Sequence, residues 1–553
     1  MNPDQRKPLI IQSDYTLLLE VHHPLFTECR DFLASFAELV KSPEFIHTYK
    51  ITALSMWNAA ALNIPFSDIT QGLKKYSRYD IPSNVTCSIK EWYDLYGKLV
   101  LKKDKTDLLK LVIKDESIFE HITHEKSIQA FIIRIEHDGF SLLAEERGNV
   151  KQALVKIGYP VKDICGYIAG DPYEIQLRTI DLQGAPFQLR PYQKEAVDAF
   201  YHAGKKTGGH GIIVLPCGSG KTIIGLGIMS KISNFTLIVS TNNVAVHQWR
   251  DELVSKTQIT YDEIGEYTGL KKEIKPITIT TYQMLTYRRS KEDLFENLSL
   301  FNDHNWGLII YDEVHLLPAP VFRATAGIQA KRRVGLTATL IREDGKEDDV
   351  FALIGPKRYD VPWKDLENKG FIAEALCTEF RVDLINDEML AYAHATKRKK
   401  FRIAAENSRK IALVAQLVDN YKHEHILIIG QFISQLKKIA DTLGYPLITG
   451  KTKNDIREQR YSQFRTGEIK VLVVSKIANF AVDLPDANIM IQVSGTFGSR
   501  QEEAQRMGRI LRPKKGTSHF FTLVSKGTVE QEFGIKRQLY LVEQGYKYNI
   551  SYF

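Results

Sequence analysis

Short apolar runs recur along the chain from about Gly211 to its end, and segments with a helical period lie between most of them. Each run is apolar on both faces, and such strands joined through helices predict parallel sheets covered on both sides. The first block contains Gly211–Leu215, Phe235–Ser240, Ile277–Thr281, Trp306–Tyr311 and Arg333–Thr337, and the second contains His425–Gly430, Ile469–Ser475, Asn488–Val493 and His519–Val524. The pattern therefore predicts an α/β fold with two parallel-sheet lobes in succession.

The domain boundaries follow from where this alternation begins and stops. We place the first lobe at residues 185–370 and the second at residues 371–553. The break between the two blocks, about residues 342–424, is too long for a simple loop and is expected to contain structure of its own. Part of it, around residues 385–410, is predicted to be an insertion of the second lobe.

Residues 1–184 have a different pattern. Pro8–Val21 and Ala130–Leu143 alternate like strands, Pro24–Lys41 has a helical period, and Ile51–Leu62 resembles an alanine-rich helix. The interpretation we favour is one or two α+β accessory domains, at residues 1–129 and 130–184, without catalytic residues of their own.

Composition places the chain among soluble globular proteins. It has 553 residues, of which 44% are hydrophobic and 25% charged, and its net charge of +8 permits a polyanionic partner without requiring one. The five cysteines are odd in number and form no C-x-x-C pair, so we expect no disulfide framework, zinc site or iron–sulfur cluster. Reduced thiols, together with the lack of a signal peptide or a long apolar run, predict a cytoplasmic protein.

The segment Pro216-Cys217-Gly218-Ser219-Gly220-Lys221-Thr222 joins a predicted strand to a helical segment, the context that a phosphate-binding loop requires. Gly218 and Gly220 allow backbone N–H groups to approach phosphates, and the N-terminus of the following helix adds its dipole. We therefore predict that these seven residues bind ATP. Lys221 is expected to reach the β- and γ-phosphates, and the Thr222 hydroxyl to bind Mg²⁺.

Asp312-Glu313-Val314-His315 follows the apolar run Trp306–Tyr311. Carboxylates at the C-terminal end of a strand lie where α/β sheets bind ligands. We predict that Asp312 holds Mg²⁺ through water and that Glu313 orients and deprotonates the attacking water. Taken alone, the pair could be a charge pair at a helix N-terminus, but the phosphate loop upstream favours the catalytic interpretation.

Two further segments contribute to the predicted nucleotide site. Arg190 and Gln193 precede the phosphate loop, and the Gln193 amide has the donor and acceptor needed to contact adenine. Arg506, Arg509 and Arg512 are spaced by three, so a helix would place them along one face, and arginines of a second lobe, here Arg509 and Arg512, can neutralise charge on the γ-phosphate. A solvated basic helix is the alternative.

Small hydroxyl residues at the end of the first block are predicted to couple nucleotide state to movement. Thr337 and Thr339 could hydrogen-bond His315, and Asp483 could serve a similar role at the nucleotide from the second lobe. Gln505, which opens the arginine segment, is assigned to the same coupling group.

In this order, the segments GSGKT, DEVH, LTATL and QRMGRILR resemble the motifs of superfamily 2 helicases, and most closely those of the XPB branch. Leu215 departs from the general phosphate loop, which has glycine there, and fits the helicase variant. Arg342-Glu343-Asp344 looks like the R-E-D element of the branch, and DLPDANIMIQVS followed by GSRQEEAQRMGRILRPKK is similar to its late motifs. The resemblance covers most of residues 185–553.

This resemblance implies two RecA-like lobes, dependence on ATP and Mg²⁺, 3′→5′ movement on DNA and a role in DNA repair, with a nuclease as a possible partner. It also implies that Arg342, Glu343 and Asp344 act in strand separation and that residues 130–184 resemble a small damage-recognition domain. The N-terminal stretch looks like the domain that precedes the motor in prokaryotic-type XPB.

The densest basic cluster is Lys397-Arg398-Lys399-Lys400-Phe401-Arg402, which is similar in position to the thumb of the family. We predict that its cations contact DNA phosphates and that Phe401 stacks on an exposed base. The alternative is a solvated helix with Phe401 packed into the second lobe.

Several functions share this ATP site. A translocase on duplex DNA that does not separate strands remains open, and so does RNA as the substrate. A nucleotide-gated scaffold without catalysis would be expected to lack Lys221, Glu313 or Arg509, and all three are present.

Overall fold

A computed structural model of the protein describes residues 7–42, 45–105, 107–216, 218–290, 295–329, 331–338, 347–361, 363–475, 487–495, 500–512 and 516–553. The chain divides into two compact units: residues 1–38, 48–215 and 220–360 form one, and residues 39–47, 216–219 and 361–553 form the other. No helix among the described residues is long and apolar enough to cross a membrane.

Two small sheets precede the predicted lobes. Their elements are β1 (Leu9–Ile11), β2 (Thr16–Glu20), α1 (Phe26–Ala34), β3 (Glu38–Lys41), β4 (Ile46–Lys50), α2 (Ala53–Ala61), α3 (Phe66–Tyr76), α4 (Ser83–Leu95), β5 (Leu99–Lys103), β6 (Leu108–Ile113), α5 (Glu116–His124), α6 (Lys126–Gln129), β7 (Ile132–Glu136), β8 (Gly139–Leu143), α7 (Arg147–Lys156) and β9 (Val161–Asp163). One sheet has the order β1-β2-β4-β3 and the other, here called the small sheet, has the order β7-β8-β6-β5-β9.

The N-terminal patterns were too coarse in three places. Ala130–Leu143 is a hairpin of the antiparallel strands β7 and β8. Pro8–Val21 is an antiparallel hairpin and not one strand, because β1 and β2 pair around a tight turn in which Tyr15 adopts a φ of 68°. The helical period of Pro24–Lys41 extends only to Ala34, after which the chain forms β3.

The first large sheet follows. Its elements are α8 (Pro191–Tyr201), β10 (His210–Val214), α9 (Lys221–Ile232), β11 (Thr236–Ser240), α10 (Asn243–Lys256), β12 (Ile264–Tyr267), β13 (Ile277–Thr281), α11 (Tyr282–Leu285), α12 (Leu300–Asp303), β14 (Leu308–Asp312), α13 (Ala319–Gly327), β15 (Arg332–Thr337), α14 (Glu347–Leu353) and β16 (Lys357–Asp360). All strands are parallel, in the order β12-β13-β11-β14-β15-β10-β16. The C-terminal ends of β14, β15 and β10 therefore lie side by side at the same end of the sheet.

The second large sheet has the same design. Its elements are α15 (Trp363–Asn368), β17 (Ala375–Val382), α16 (Asn386–His394), α17 (Lys397–Ala405), α18 (Arg409–Asn420), β18 (Ile426–Gly430), α19 (Ile433–Leu443), β19 (Leu447–Ile448), α20 (Asn454–Arg465), β20 (Val471–Ser475), β21 (Ile489–Gln492), α21 (Arg500–Gly508), β22 (Ser518–Ser525), α22 (Val529–Glu543) and β23 (Tyr548–Tyr552). The strands are parallel in the order β19-β20-β18-β21-β22-β17-β23.

The two sheets confirm the predicted α/β fold class. Apolar runs predicted the interior strands because these are buried on both faces, as β10, β11 and β18 are at every position. The pattern missed the edge strands β12, β16, β19 and β23, and also β17. An edge strand needs fewer apolar residues than an interior strand. The sequence of β16, for example, is Lys-Arg-Tyr-Asp.

Candidate active site

The phosphate loop leads from β10 into α9. Gly218 and Gly220 have φ values of 81° and 82°, in the left-handed region that glycine enters without steric cost. A Cβ atom on Gly220 would lie 2.6 Å from Nε2 of Gln193. Because α9 begins at Lys221, its first N–H groups and its dipole are placed at the loop, as an anion requires.

Lys221 and Glu313 form the charged centre of the site. The ammonium of Lys221 lies 3.6 Å from Oε1 of Glu313, and both side chains are largely buried. Glu313 has a φ of 48°, which is unusual for a residue with a side chain and typical of functional sites where the fold holds a strained residue. Burial raises the pKa of the Glu313 carboxyl, but Lys221 and His315 lower the pKa more, so that the net shift is downward. Glu313 is therefore ionised at neutral pH.

Asp312, the last residue of β14, is held from two directions. The indole N–H of Trp249 donates to Oδ2 of Asp312 over 3.0 Å, and the hydroxyl of Tyr282 donates to its main-chain carbonyl over 2.9 Å. Burial and the adjacent Glu313 raise the pKa of Asp312 above its ordinary value. A divalent cation would offset the repulsion between these two carboxylates.

The side chains present fit Mg²⁺. The ion prefers hard oxygen ligands and retains several of its waters, and the Asp312 carboxylate and Thr222 hydroxyl are donors of this kind. Two adjacent, half-buried carboxylates lie near one lysine in this part of the site, and a cation would reduce the repulsion between them.

His315 connects this centre to the neighbouring strand. Its Nδ1 lies 2.7 Å from the hydroxyl of Thr337, at the end of β15, and 3.4 Å from Oε2 of Glu313. His315 and Thr337 are both buried. The structure thus brings together the predicted pair, with His315 between Glu313 and the end of β15.

Gln193 lies in the first turn of α8, close to the phosphate loop. Its Oε1 accepts a hydrogen bond from the main-chain N–H of Arg190 over 2.9 Å, and only 3% of the residue is exposed. The amide therefore caps α8 and faces Gly220. Contact of Arg190 and Gln193 with adenine stays a prediction.

The prediction that Arg506, Arg509 and Arg512 share one helical face was wrong. Helix α21 ends at Gly508, so Arg509 and Arg512 lie beyond it. Arg506 is 2% exposed and donates to Oε1 of Gln492. It belongs to a buried network in which Gln492 also donates to Glu503 over 3.0 Å. Arg509, Arg512 and Gln505 are half-buried, and their roles at the nucleotide stay predictions.

The basic cluster forms α17, and it corrects the prediction for Phe401. The ring is 2% exposed and packs on Phe432 and Phe533, with centroid distances of 5.7 and 5.3 Å, so it cannot stack on a base. An apolar ring at this position anchors the helix to its own unit. The exposed members of the cluster are Lys397, Arg398, Lys399 and Arg402, and Lys400 is half-buried above the ring of Tyr392.

Six predicted residues lie outside the described residues: Cys217, Thr339, Arg342, Glu343, Asp344 and Asp483.

Comparison with known proteins identifies the family. The family described as ERCC3/RAD25/XPB C-terminal helicase matches residues 366–552, that of the type III restriction enzyme res subunit matches residues 186–342, and a helicase conserved C-terminal domain matches residues 9–136. The DNA 3′-5′ helicase XPB of Kineococcus radiotolerans is 49% identical over 98% of this chain and 96% of its own length. The chain belongs to the XPB family of DNA helicases.

Other members of the XPB family extend over the same span. The DNA 3′-5′ helicase XPB of Mycobacterium tuberculosis is 48% identical over 98% of this chain and 97% of its own length. The general transcription and DNA repair factor IIH helicase/translocase subunit XPB of Encephalitozoon cuniculi is 34% identical over 98% of this chain and 82% of its own length. The likeness therefore includes the accessory region as well as the two large sheets.

Sequence reasoning missed Trp249 and Tyr282, whose side chains donate hydrogen bonds to Asp312 in this XPB-family chain. Both lie on helices next to β14 in space, far from Asp312 in sequence, and no local motif marked them. Gly225 in α9 was a possible signal, because a Cβ there would lie 2.4 Å from the indole of Trp249. The glycine makes room for the ring that reaches Asp312.

Trp249→Phe is expected to weaken Mg²⁺-dependent nucleotide binding by about tenfold or more, since partners that orient a metal-binding carboxylate typically contribute that much. The measurement is binding of a fluorescent ATP analogue against Mg²⁺ concentration. Trp306→Phe is the matched control, because that indole N–H donates to the main-chain carbonyl of Leu300, away from Asp312. Equal Mg²⁺ dependence in both variants would contradict a role for the Trp249 N–H.

Proposed function

We propose that this protein hydrolyses ATP to move 3′→5′ along DNA and to separate its strands. The observation that carries the proposal is the largely buried Lys221–Glu313 pair beside the phosphate loop, in a chain of the XPB family. Two relatives of the chain are named DNA 3′-5′ helicases. ATP hydrolysis fits the residues present here.

In this proposal each residue of the site has one task. The loop amides and Lys221 bind and neutralise the phosphates, and Thr222 and Asp312 hold Mg²⁺, which supplies further charge neutralisation at the phosphates. Glu313 orients the attacking water and accepts its proton. Arg509 and Arg512 stabilise charge on the transferred phosphoryl group, with Asp483 and Gln505 acting at the nucleotide from the same part of the chain.

Movement would follow from the nucleotide state. His315 senses Glu313 and transmits the change through Thr337 to the end of β15, and Thr339 lies two residues further on. The next segment contains Arg342, Glu343 and Asp344, which we infer act on the strands at the fork. We also infer that residues 185–370 and 371–553 work as two lobes, with residues 1–184 as an accessory region.

The test is ATP hydrolysis with single-stranded DNA, duplex DNA, forked DNA and RNA side by side. We expect DNA, and forked DNA most of all, to stimulate hydrolysis, and RNA to stimulate it less. The proposal would be contradicted if only RNA stimulated ATP hydrolysis, or if none of the four nucleic acids stimulated it.

A duplex translocase is the second candidate, and it is favoured by the name helicase/translocase carried by the relative from Encephalitozoon cuniculi. Displacement of the third strand of a triplex, without release of a strand from a fork, would favour this candidate. A nuclease partner, a role in repair and a cytoplasmic location also remain proposals.

The basic helix α17 is expected to contact DNA phosphates. Lys397→Ala with Lys399→Ala should make the salt dependence of duplex binding shallower by up to about 2 in the log–log slope, because each lost phosphate contact changes the slope by about 0.9. The measurement is duplex affinity over a salt series. Lys437→Ala with Lys438→Ala removes two exposed lysines from α19 and is the control. An equal change in both variants would show only a general effect of charge.

A further inference from the structure

A basic cavity of about 430 Å³ lies between the small sheet and the first large sheet, within one compact unit. Its lining comes from β5, β6, the start of α7, the segment after β9, the turn after α8 and the first residue of β15. The charged residues in this lining are Lys103, Arg147, Lys205, Lys206 and Arg332, and none of the described lining residues is acidic.

Most of these cations have no carboxylate partner in the part of the chain that the structure describes. Arg147 is paired, because its guanidinium donates to both carboxylate oxygens of Asp163 over 2.9 and 2.8 Å. Lys103, Lys205 and Lys206 are exposed, and no ion pair involves them among the residues that the structure describes. Arg332 lies over the ring of Tyr167, with its guanidinium carbon 5.5 Å from the ring centroid.

Like charges gathered around one cavity repel each other, and a bound anion would relieve that repulsion. Three flexible lysines and one planar guanidinium spread over the rim suit an anion with several charged oxygens better than a single carboxylate. The volume lies within the range of small-molecule sites and is large enough for a pyrophosphate or a nucleotide.

The cavity is separate from the ATP site. It is lined by Gly209, the residue before β10, and by Arg332, the first residue of β15, whereas the phosphate loop follows β10 and Thr337 is the last residue of β15. A strand of five or six residues spans roughly 17–20 Å. The cavity and the ATP site therefore lie at opposite ends of the strands of the first large sheet.

We propose that this cavity binds a phosphate-bearing ligand. The phosphates would lie against Lys103, Lys205, Lys206 and Arg332, and Tyr167 would form part of the apolar wall. The same chemistry can come from a small pyrophosphate-containing molecule or from the backbone of a DNA strand, and the experiment separates these sources.

Binding is measured on the full chain with two probes, inorganic pyrophosphate and a single-stranded oligonucleotide, each in saturating Mg-ADP so that the ATP site is filled. The test variant is Lys205→Ala with Lys206→Ala. The control is Lys271→Ala with Lys272→Ala, which removes two exposed lysines from the turn between β12 and β13. Thermal unfolding of each variant is measured to check that it is folded.

A small ligand is indicated if pyrophosphate binds the wild type and the test variant loses about tenfold or more in affinity while the control does not. A DNA backbone is indicated if only oligonucleotide binding weakens, with a log–log salt slope shallower by about 1.4 for two contacts. Unchanged binding of both probes, or equal losses in the test and control variants, would overturn the proposal.

Discussion

Glu313→Gln is expected to reduce ATP turnover by about 10²- to 10⁴-fold, the contribution typical of a general base, while nucleotide affinity changes little. Glutamine keeps the size of the side chain and one acceptor oxygen but cannot take a proton at neutral pH. Lys221 and Asp312 would still hold the nucleotide with its metal. The measurements are DNA-stimulated ATP hydrolysis and binding of a fluorescent ATP analogue.

The control for this variant is Glu273→Gln, which changes an exposed carboxylate of the same unit away from the site. Full turnover in Glu313→Gln would remove Glu313 from the mechanism. A parallel loss of turnover and affinity would instead assign it to nucleotide binding.

Arg509→Ala and Arg512→Ala are each expected to reduce DNA-stimulated hydrolysis by about 10³-fold or more, which is the cost of losing an arginine that stabilises phosphoryl transfer. Binding of DNA without nucleotide should persist, because the proposed contact is with the phosphates of ATP. Steady-state hydrolysis and DNA affinity are measured on the same preparations.

Arg465→Ala is the matched control, since it removes an exposed arginine at the end of α20 in the same unit. Losses of DNA binding equal to the losses of hydrolysis would show that Arg509 and Arg512 support the fold or the DNA interface. Arg506 makes a useful contrast. It is buried against Gln492, so its removal is expected to destabilise the protein rather than to act on ATP alone.

The sequence predicted what depends on local pattern. Interior strands of a parallel sheet are apolar on both faces, so β10 and β14 could be predicted directly, and residues after their C-terminal ends were expected to meet at the same end of the sheet. For this reason the sequence alone predicted that Lys221, Glu313 and His315 lie in one site. Their distances of 3.6 and 3.4 Å agree with that prediction.

What depends on tertiary packing could not be predicted. Trp249 reaches Asp312 from a helix 63 positions away in sequence, and a tryptophan in an amphipathic helix usually indicates only a core position. Because Phe401 has five charged neighbours in sequence, its ring was predicted to be available for stacking on a base. The rings on which it packs lie before α19 and in α22, far from it in sequence. The arginine spacing suggested a longer helix than α21, and nothing in the spacing marks its end at Gly508.

The most direct test of the central claim is ATP-driven strand separation on duplexes with a 3′ or a 5′ single-stranded tail, measured together with ATP hydrolysis. We predict that the wild type releases a strand from the 3′-tailed duplex in the presence of Mg-ATP, that the 5′-tailed duplex stays intact, and that Glu313→Gln separates neither. Hydrolysis stimulated by both duplexes without release of a strand from either, or release by Glu313→Gln at the wild-type rate, would contradict the account.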